Sequence, residues 1–526
     1  MGVLGFLLLL PFVFLVGLAA LRVLDESSSL EHLFVQVLPD VIAQTLWLCA
    51  GVAVLTSTMG VLPAWWVSAH EFSGRRWLEW LLMLPIAMPS YVVAYAYTDG
   101  LQYSGRLMSW CRQVLGADFR VPDIRSLGGA VLVLSFVLYP YVYIMARTAF
   151  LRCSPSMLDA ARSLGLGAVG VFCRVVLPVS RPAWVAGLAL VLMETLSEYG
   201  ALSYFGVQTF TTAIFKAWFG LSDKGSAALL AVMLMGLMLG LIVFEMRARG
   251  RAQFYTQSGK EQLPVRAQLN WHQNVWVVFL CSMPVLFGFV LPMVFLLCAV
   301  AKANMTYMSW ATSLAWMWHS VVLAVLAATV ACVLAVFFGY VKRLSVAGWV
   351  LFVHRLLSLG YGVPGAIVAI AVLLQLSAFD RLSDHMGWGA PLLVGSVFAL
   401  VYAYCVRFTS AALQSVDSGL QQITRHIDES ARVLGCTPRL VLWRVHLPLL
   451  RGAIATGFLL VFVDVMKELP ATVMLRFLDF DTLAAMADHF AADERLEEAA
   501  IPSLLIVLIT LLPTVLLIRQ AARQVR

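Results

Sequence analysis

Long apolar stretches almost free of charge alternate with short polar ones along the whole chain. They lie near residues 2–21, 41–67, 78–98, 127–149, 183–205, 227–246, 275–300, 317–341, 350–376, 390–412, 452–470 and 501–518, twelve in all. About 20 apolar residues at a 1.5 Å rise cross the hydrocarbon core of a bilayer, so each stretch is long enough to span. A backbone facing lipid must satisfy its own hydrogen bonds, and these runs are too long and too uniformly apolar for barrel strands. The pattern predicts an all-α polytopic membrane protein with twelve transmembrane helices. The run from Met1 to Leu21 has no basic leader and no convincing cleavage site, and reads as a retained first span.

An internal repeat organises these spans. Asp159-Ala160-Ala161-Arg162-Ser-Leu-Gly165 is echoed 270 residues later by Glu429-Ser430-Ala431-Arg432-Val-Leu-Gly435. Thirteen residues past each glycine stands Leu-Pro, as Leu177-Pro178 and Leu447-Pro448, and nine of the twenty positions 159–178 are identical to their counterparts. Upstream, an offset of 275 aligns Pro89 with Pro364 and Ala94 with Ala369. The chain therefore reads as two homologous six-span halves, residues 1–246 and 273–526, joined by a polar linker at 247–272. An even number of spans per half inserts both halves the same way, as parallel repeats related by a pseudo-two-fold axis along the membrane normal.

Charge orients the helices. With a cytoplasmic N-terminus, 24 of the 36 Lys and Arg residues fall on the cytoplasmic side, Arg407 counted among them, against 11 outside and Lys467 within a span. The positive-inside rule then puts both termini in the cytoplasm. The external loop 99–126 dissents, with four arginines. Composition agrees with the pattern: 61% of residues are apolar and 12% charged, which leaves no room for a large soluble domain. The net charge of +7 is a sum over compartments and does not point to nucleic acid; membrane lipid is the expected surrounding. Nine cysteines show no paired spacing, and only Cys111 falls in an external loop, so no disulfide framework is expected.

Two features carry candidate chemistry. The first is the repeated polar loop, 150–182 and 413–451, in which Ala, Leu and Arg favour a short helix before a glycine that stops or bends it. An amphipathic turn or two should follow, with Leu-Pro ending it before the next span. The second is a set of ionisable residues in the fifth and eleventh spans: Glu194 and Glu198, and Asp464, Lys467 and Glu468. Each acidic pair is spaced i, i+4, which on a continuous helix shares one face. Glu194 and Asp464 lie roughly 16 Å into their spans, near the midplane, where a charge is functional by default. Carboxylates are hard oxygen ligands suited to hard cations. Two readings stand: Glu194, Glu198, Asp464 and Glu468 contact a transported metal cation transiently, or Lys467 and backbone groups neutralise them in a gate near Gly200 and Pro470.

The pattern Glu-Ala-Ala, three residues, Gly, nine residues, a hydrophobic residue, any residue, Leu-Pro resembles the signature loop of binding-protein-dependent ABC importer permeases. Both copies match its spacing, with Asp159 for Glu and Ser430 for Ala as mild departures. The resemblance implies that each loop carries a coupling helix docking one of two cytoplasmic ATPase subunits, which would hold ATP and magnesium. It also implies an external binding protein, and a bacterial inner-membrane location. Glu194-Thr-Leu-Ser-Glu198-Tyr199-Gly and Asp464-Val-Met-Lys467-Glu468-Leu-Pro are similar to the ferric-iron subgroup with fused halves. That resemblance implies ferric iron as substrate and a periplasmic ferric-iron-binding protein as its source, with thiamine or another small cation as the alternative cargo. A twelve-helix secondary transporter fits the span count but gives no reason for two matched cytoplasmic loops. The chain itself encodes no nucleotide site, since Gly259-Lys260 lacks the phosphate-loop glycine spacing, and no H-E-x-x-H zinc pattern occurs. It is expected to bind no cofactor and to be no enzyme.

Overall fold

A computed structural model describes residues 2–525 except 25–30, 32, 103–104, 117–118, 120–121, 250–265, 304–309, 346, 359, 388–392 and 477–479. Most of the expected linker thus lies outside the described residues. The described chain is helical apart from a parallel pair of two-residue strands, His70–Glu71 and Ala267–Gln268. Among the described residues ten helices are long and apolar enough to cross a membrane, and up to twelve if two sharply bent helix pairs each count as one span.

The bends correct four spans read as uninterrupted. The third breaks between Arg75–Ala87 and Ser90–Leu101 with a 94° turn. Its counterpart in the second half breaks between Gly348–Ser358 and Gly365–His385. Pro89 and Pro364 stand immediately before the second helix of each pair, where the fixed proline φ and missing N–H end one helix and suit the entry to the next. The fifth and eleventh spans end at Ser197 and Lys467, followed by the short helices Gly200–Tyr204 and Pro470–Met474. The tenth span also differs, running Val397–Gln422 rather than 390–412, because Ser396 caps its start by accepting from Ala399 N–H.

The chain forms two compact units. One comprises Met1–Leu33, Ala213–Met235 and Asn304–Ala521; the other comprises Phe34–Thr212, Gly236–Ala303 and Ala522–Arg526. Compactness thus does not follow chain order, because the leading helix of each sequence half joins the unit built mainly from the other half. In the first unit, helix Gly2–Leu24 packs on Gly348–Ser358 and Gly365–His385, and Tyr402 Oη donates to Leu7 O. In the second, Leu291–Val300 packs on Ser90–Leu101, and Tyr97 Oη donates to Phe287 O at 2.6 Å.

Small residues set the closest helix crossings. Helix Leu38–Ala69 lies along Leu127–Leu151, where a Cβ on Gly60 would fall 2.7 Å from Val142 Cβ. Helix Val397–Gln422 meets Leu447–Lys467 with Gly419 similarly close to Ala453. Between helices that gain no hydrophobic drive from lipid, such approach maximises dispersion and excludes larger side chains.

Candidate functional site

The two repeated loops fold alike. Helix Pro155–Ser163 ends at Gly165 with φ +84°, and helix Arg425–Val433 ends at Gly435 with φ +76°. In the first, Gly165 N–H donates to Arg162 O at 2.9 Å and Leu166 N–H to Ala161 O at 3.2 Å; in the second, Gly435 N–H donates to Arg432 O at 2.9 Å and Cys436 N–H to Ala431 O at 3.0 Å. This paired 5→2 and 6→1 bonding is a Schellman stop, and the left-handed glycine is its requirement. A Cβ at either glycine would meet nothing within 4 Å, so conformation alone and not space demands glycine there.

Ala161 and Ala431 face inward and are buried, whereas Asp159 and Glu429 point out to solvent. Asp159 pairs with Arg162, and Glu429 with His426. Past the acids each loop presents bare hydrocarbon: Leu164 is 83% exposed, Leu434 82% and Val433 88%. Leucines protrude at matched positions of the two turns, and apolar side chains at the tips of polar loops gain free energy only by being covered.

The prolines behave differently in the two loops. Helix Ala168–Val179 ends one residue past Pro178, as its spacing suggests, whereas Pro448 lies inside the continuous helix Pro438–Lys467 instead of ending it. A π-helical turn precedes each, Phe172–Val176 and Leu442–His446, and its wider bonding accommodates a residue without an N–H. Downstream the halves diverge. Helix Leu447–Lys467 runs unbroken, whereas Pro182 follows Ser180 in the first half and the chain bends by 71° there. Gly452, the counterpart of Pro182, leaves the ladder intact.

Glu198, half-buried, and Glu468, buried, stand at two elbows. Glu198 and Glu468 are the first residues beyond their helices, with extended backbones at ψ 131° and 113°. The i, i+4 reasoning fails at this point, because a shared face exists only while the helix continues. Each carboxylate instead turns toward the short helix that follows: Glu198 Oε1 accepts Ala201 N–H at 3.0 Å and Glu468 Oε1 accepts Ala471 N–H at 3.1 Å. The carboxylates thereby serve the exposed N–H groups of a helix start and its positive dipole end. Glu194, Asp464, Tyr199 and Lys467 stay half-buried beside the elbows.

The remaining oxygens are met differently. Ser90 Oγ donates to Glu198 Oε2, while Arg407 Nη1 pairs with Glu468 Oε2. Arg407 is buried in helix Val397–Gln422 and is not a cytoplasmic residue, so it joins the intramembrane ionisable groups. Its signal is in the sequence, since it lies inside the apolar stretch 390–412. The counterparts explain the difference. Gly365 stands where Ser90 does, and a Cβ on it would fall 2.0 Å from Glu468 Oε1 and 2.7 Å from Arg407 Nη1; Val137 stands where Arg407 does. One half meets the acid with a hydroxyl, the other with a guanidinium given room by glycine. In the second half Thr472 Oγ1 also donates to Glu468 O and bonds Tyr404 Oη at 2.6 Å.

Among the described residues no group of three or more His, Cys, Asp or Glu side chains is placed to hold a metal ion. The reading of Glu194, Glu198, Asp464 and Glu468 as metal ligands therefore has no such cluster behind it, and the capping bonds account for two of the four.

Known proteins share this organisation. The family model described as binding-protein-dependent transport system inner membrane component matches residues 57–249 and 331–526, one copy per half. The Fe(3+)-transport system permease protein FbpB 2 of Haemophilus influenzae is 25% identical over 523 residues, 98% of this chain and 96% of that protein. A probable molybdenum ABC transporter permease of Haloferax volcanii is 30% identical over 244 residues, 46% of this chain and 85% of its own length. The sulfate transport system permease protein CysT of Escherichia coli is 29% identical over 202 residues, 38% of this chain and 71% of its own length. A component of such a system works with an ATPase and a binding protein and carries no ATPase domain of its own. With two copies of the family's fold on one chain, this multi-pass protein belongs to the inner-membrane permeases of binding-protein-dependent ABC importers.

Proposed function

We propose that the chain is the membrane subunit of an importer for ferric iron, delivered by an external binding protein and driven by two ATPase subunits docked on the loops around Gly165 and Gly435. The observation that carries the substrate is the end-to-end similarity to a ferric permease, which spans both fused halves, whereas the molybdenum and sulfate relatives match less than half of the chain. Both termini lie in the cytoplasm on this reading, and ATP and magnesium belong to the partner subunits.

ATP binding would draw the two docking loops toward each other. In the second half the motion passes to the elbow along helix Leu447–Lys467, whose 21 residues make a rod of about 31 Å. The elbows at Glu198 and Glu468 are where that motion would change the course of the chain, and their acids act there as parts of a gate.

The test is uptake by the permease reconstituted with its ATPase and binding protein, offered ferric iron, molybdate, sulfate and thiamine in turn. ATP-dependent ferric uptake is expected. Uptake of an oxyanion or of thiamine in its place overturns the substrate, and uptake that follows an ion gradient without ATP overturns the class.

Docking predicts a second result. Gly165→Val with Gly435→Val forces a β-branched residue into the left-handed region, at about 1–2 kcal/mol per site, and unwinds the two stops. The ATPase recovered with the purified permease should fall severalfold, and undiminished recovery would remove these turns from the docking surface.

A further inference from the structure

The two docking loops are anchored by different chemistry. In the second, the Asp428 carboxylate is gripped from two sides: Arg343 Nε donates to Oδ2 at 2.7 Å and His446 Nε2 donates to Oδ1 at 2.6 Å. Asp428 lies on the docking helix, His446 on the returning π-turn, and Arg343 at the cytoplasmic end of helix Trp310–Leu344. The same guanidinium donates to Leu420 O at 2.6 Å and Ile423 O at 2.9 Å, the carbonyls that lead from helix Val397–Gln422 into the docking helix. Tyr340, one turn before Arg343, donates from Oη to Pro438 O at 2.7 Å and packs its ring on His446. Four segments converge on one ionic knot.

Among the described residues the first loop has no matching ionic contact at these positions. At the corresponding positions stand Leu158 for Asp428, Val176 for His446 and Ser68 for Arg343. Trp65 replaces Tyr340, and its ring packs against Phe172 at 5.3 Å and Phe150 at 5.8 Å between centroids. Val176 and His446 are both 0% exposed, so a fully buried imidazole occupies the place of a buried isopropyl group. Burying polar groups is unfavourable unless they are fully bonded, so the knot is retained for what it fixes rather than for net stability.

We propose that Arg343, Asp428 and His446 are positioning residues for energy coupling: they hold the second docking helix at a set distance and angle from the membrane helices, so that ATPase movement is passed on rather than absorbed by the loop. The inference rests on the docking reading above. A guanidinium bonded to a side chain and to two carbonyls fixes orientation as well as distance, which apolar packing like that of Trp65 and Phe172 does less strictly. Burial pushes the Asp428 carboxyl up, but the hydrogen bonds from Arg343 and His446 outweigh it and hold it below the usual carboxylate range. Because that pKa is depressed, the knot's contribution is present above the usual carboxylate value and is lost only as pH falls through the lowered one. The acid therefore stays charged across the cytoplasmic range.

The test uses the full permease assembled with its ATPase, comparing Arg343→Met, Asp428→Asn, their double variant and His446→Gln, with Leu434→Asp as the docking control. Two quantities are read: ATPase copies recovered per permease, and ATP hydrolysed per copy recovered. Arg343→Met and Asp428→Asn should leave recovery unchanged and lower hydrolysis per copy about tenfold. The double variant should be no worse than either single, as residues acting through one contact set are non-additive. His446→Gln, whose amide can still donate to Asp428, should keep most of the activity. Loss of recovery in step with hydrolysis, multiplicative losses in the double variant, or wild-type hydrolysis in the singles overturns the proposal. If Leu434→Asp leaves recovery intact, the docking reading falls and takes this inference with it. If Leu434→Asp lowers recovery while the singles hydrolyse normally, only the inference falls.

Discussion

Arg407→Leu, with Glu468 left in place, is expected to destabilise the permease by about 3–5 kcal/mol, because it strands a carboxylate inside a buried site built around a guanidinium. The purified full chain in detergent should lose its monodisperse peak at a markedly lower temperature than the parent protein. Gly365→Ser should act in the same direction for a steric reason, since its Cβ would fall on Glu468 Oε1 and Arg407 Nη1. The other half already shows a working solution of the same problem: Ser90, Val137 and Glu198. Gly365→Ser combined with Arg407→Val rebuilds that arrangement, and the double variant should recover most of the stability that each single loses. If Arg407→Leu melts like the parent, the pair has no structural weight. If the double variant is worse than both singles, the two elbows are not interchangeable solutions.

The second large effect lies at the tips of the two proposed docking turns. Leu164→Asp with Leu434→Asp replaces the two most prominent exposed leucines of the docking turns by charges while touching no buried contact. Helix stops and backbone bonds at Gly165 and Gly435 are unaffected, so the permease should fold and insert normally. Covering a carboxylate in an apolar cleft is unfavourable by several kcal/mol unless a cation meets it, which is enough to abolish a complex of ordinary affinity. Co-purification of the ATPase should disappear, and ATP-driven uptake with it, while the permease alone elutes as before. Each single variant should retain part of the ATPase through the unmodified loop. Full recovery in the double variant would locate the docking surface elsewhere.

Much of the chain's organisation is legible without coordinates. Hydropathy yields the number and approximate place of the spans, because lipid imposes length and composition on anything that crosses it. The repeat of Asp159–Pro178 in Glu429–Pro448 yields two matched turns, including the glycines whose left-handed φ the structure displays. These are local properties, encoded within a few residues of where they act.

The elbows were harder to read, and the reason is physical. Whether Glu198 shares a face with Glu194 depends on where the helix stops, and that is settled by the Ala201 N–H it caps and by the short helix beyond. Pro178 and Pro448 both look like helix ends in the sequence, yet only Pro178 stands at one, and a π-turn upstream of Pro448 lets the helix continue through it. Arg407 sits in plain sight in an apolar run, but its role follows only from Glu468 lying 61 residues away in sequence.

By itself, then, the sequence determined that this is a duplicated polytopic permease with two matching glycine-stopped turns, because span length and helix stops are written in local composition. Only the tertiary structure decided that the leading helix of each half packs into the unit built from the other. Only it decided that Glu198 and Glu468 cap helices, that one is met by a serine and the other by an arginine, and that one repeated loop is tied by ions while aromatic rings pack at the corresponding place in its twin. Those outcomes depend on which distant side chains arrive at a buried polar atom, and a buried polar atom takes whatever partner the packing supplies.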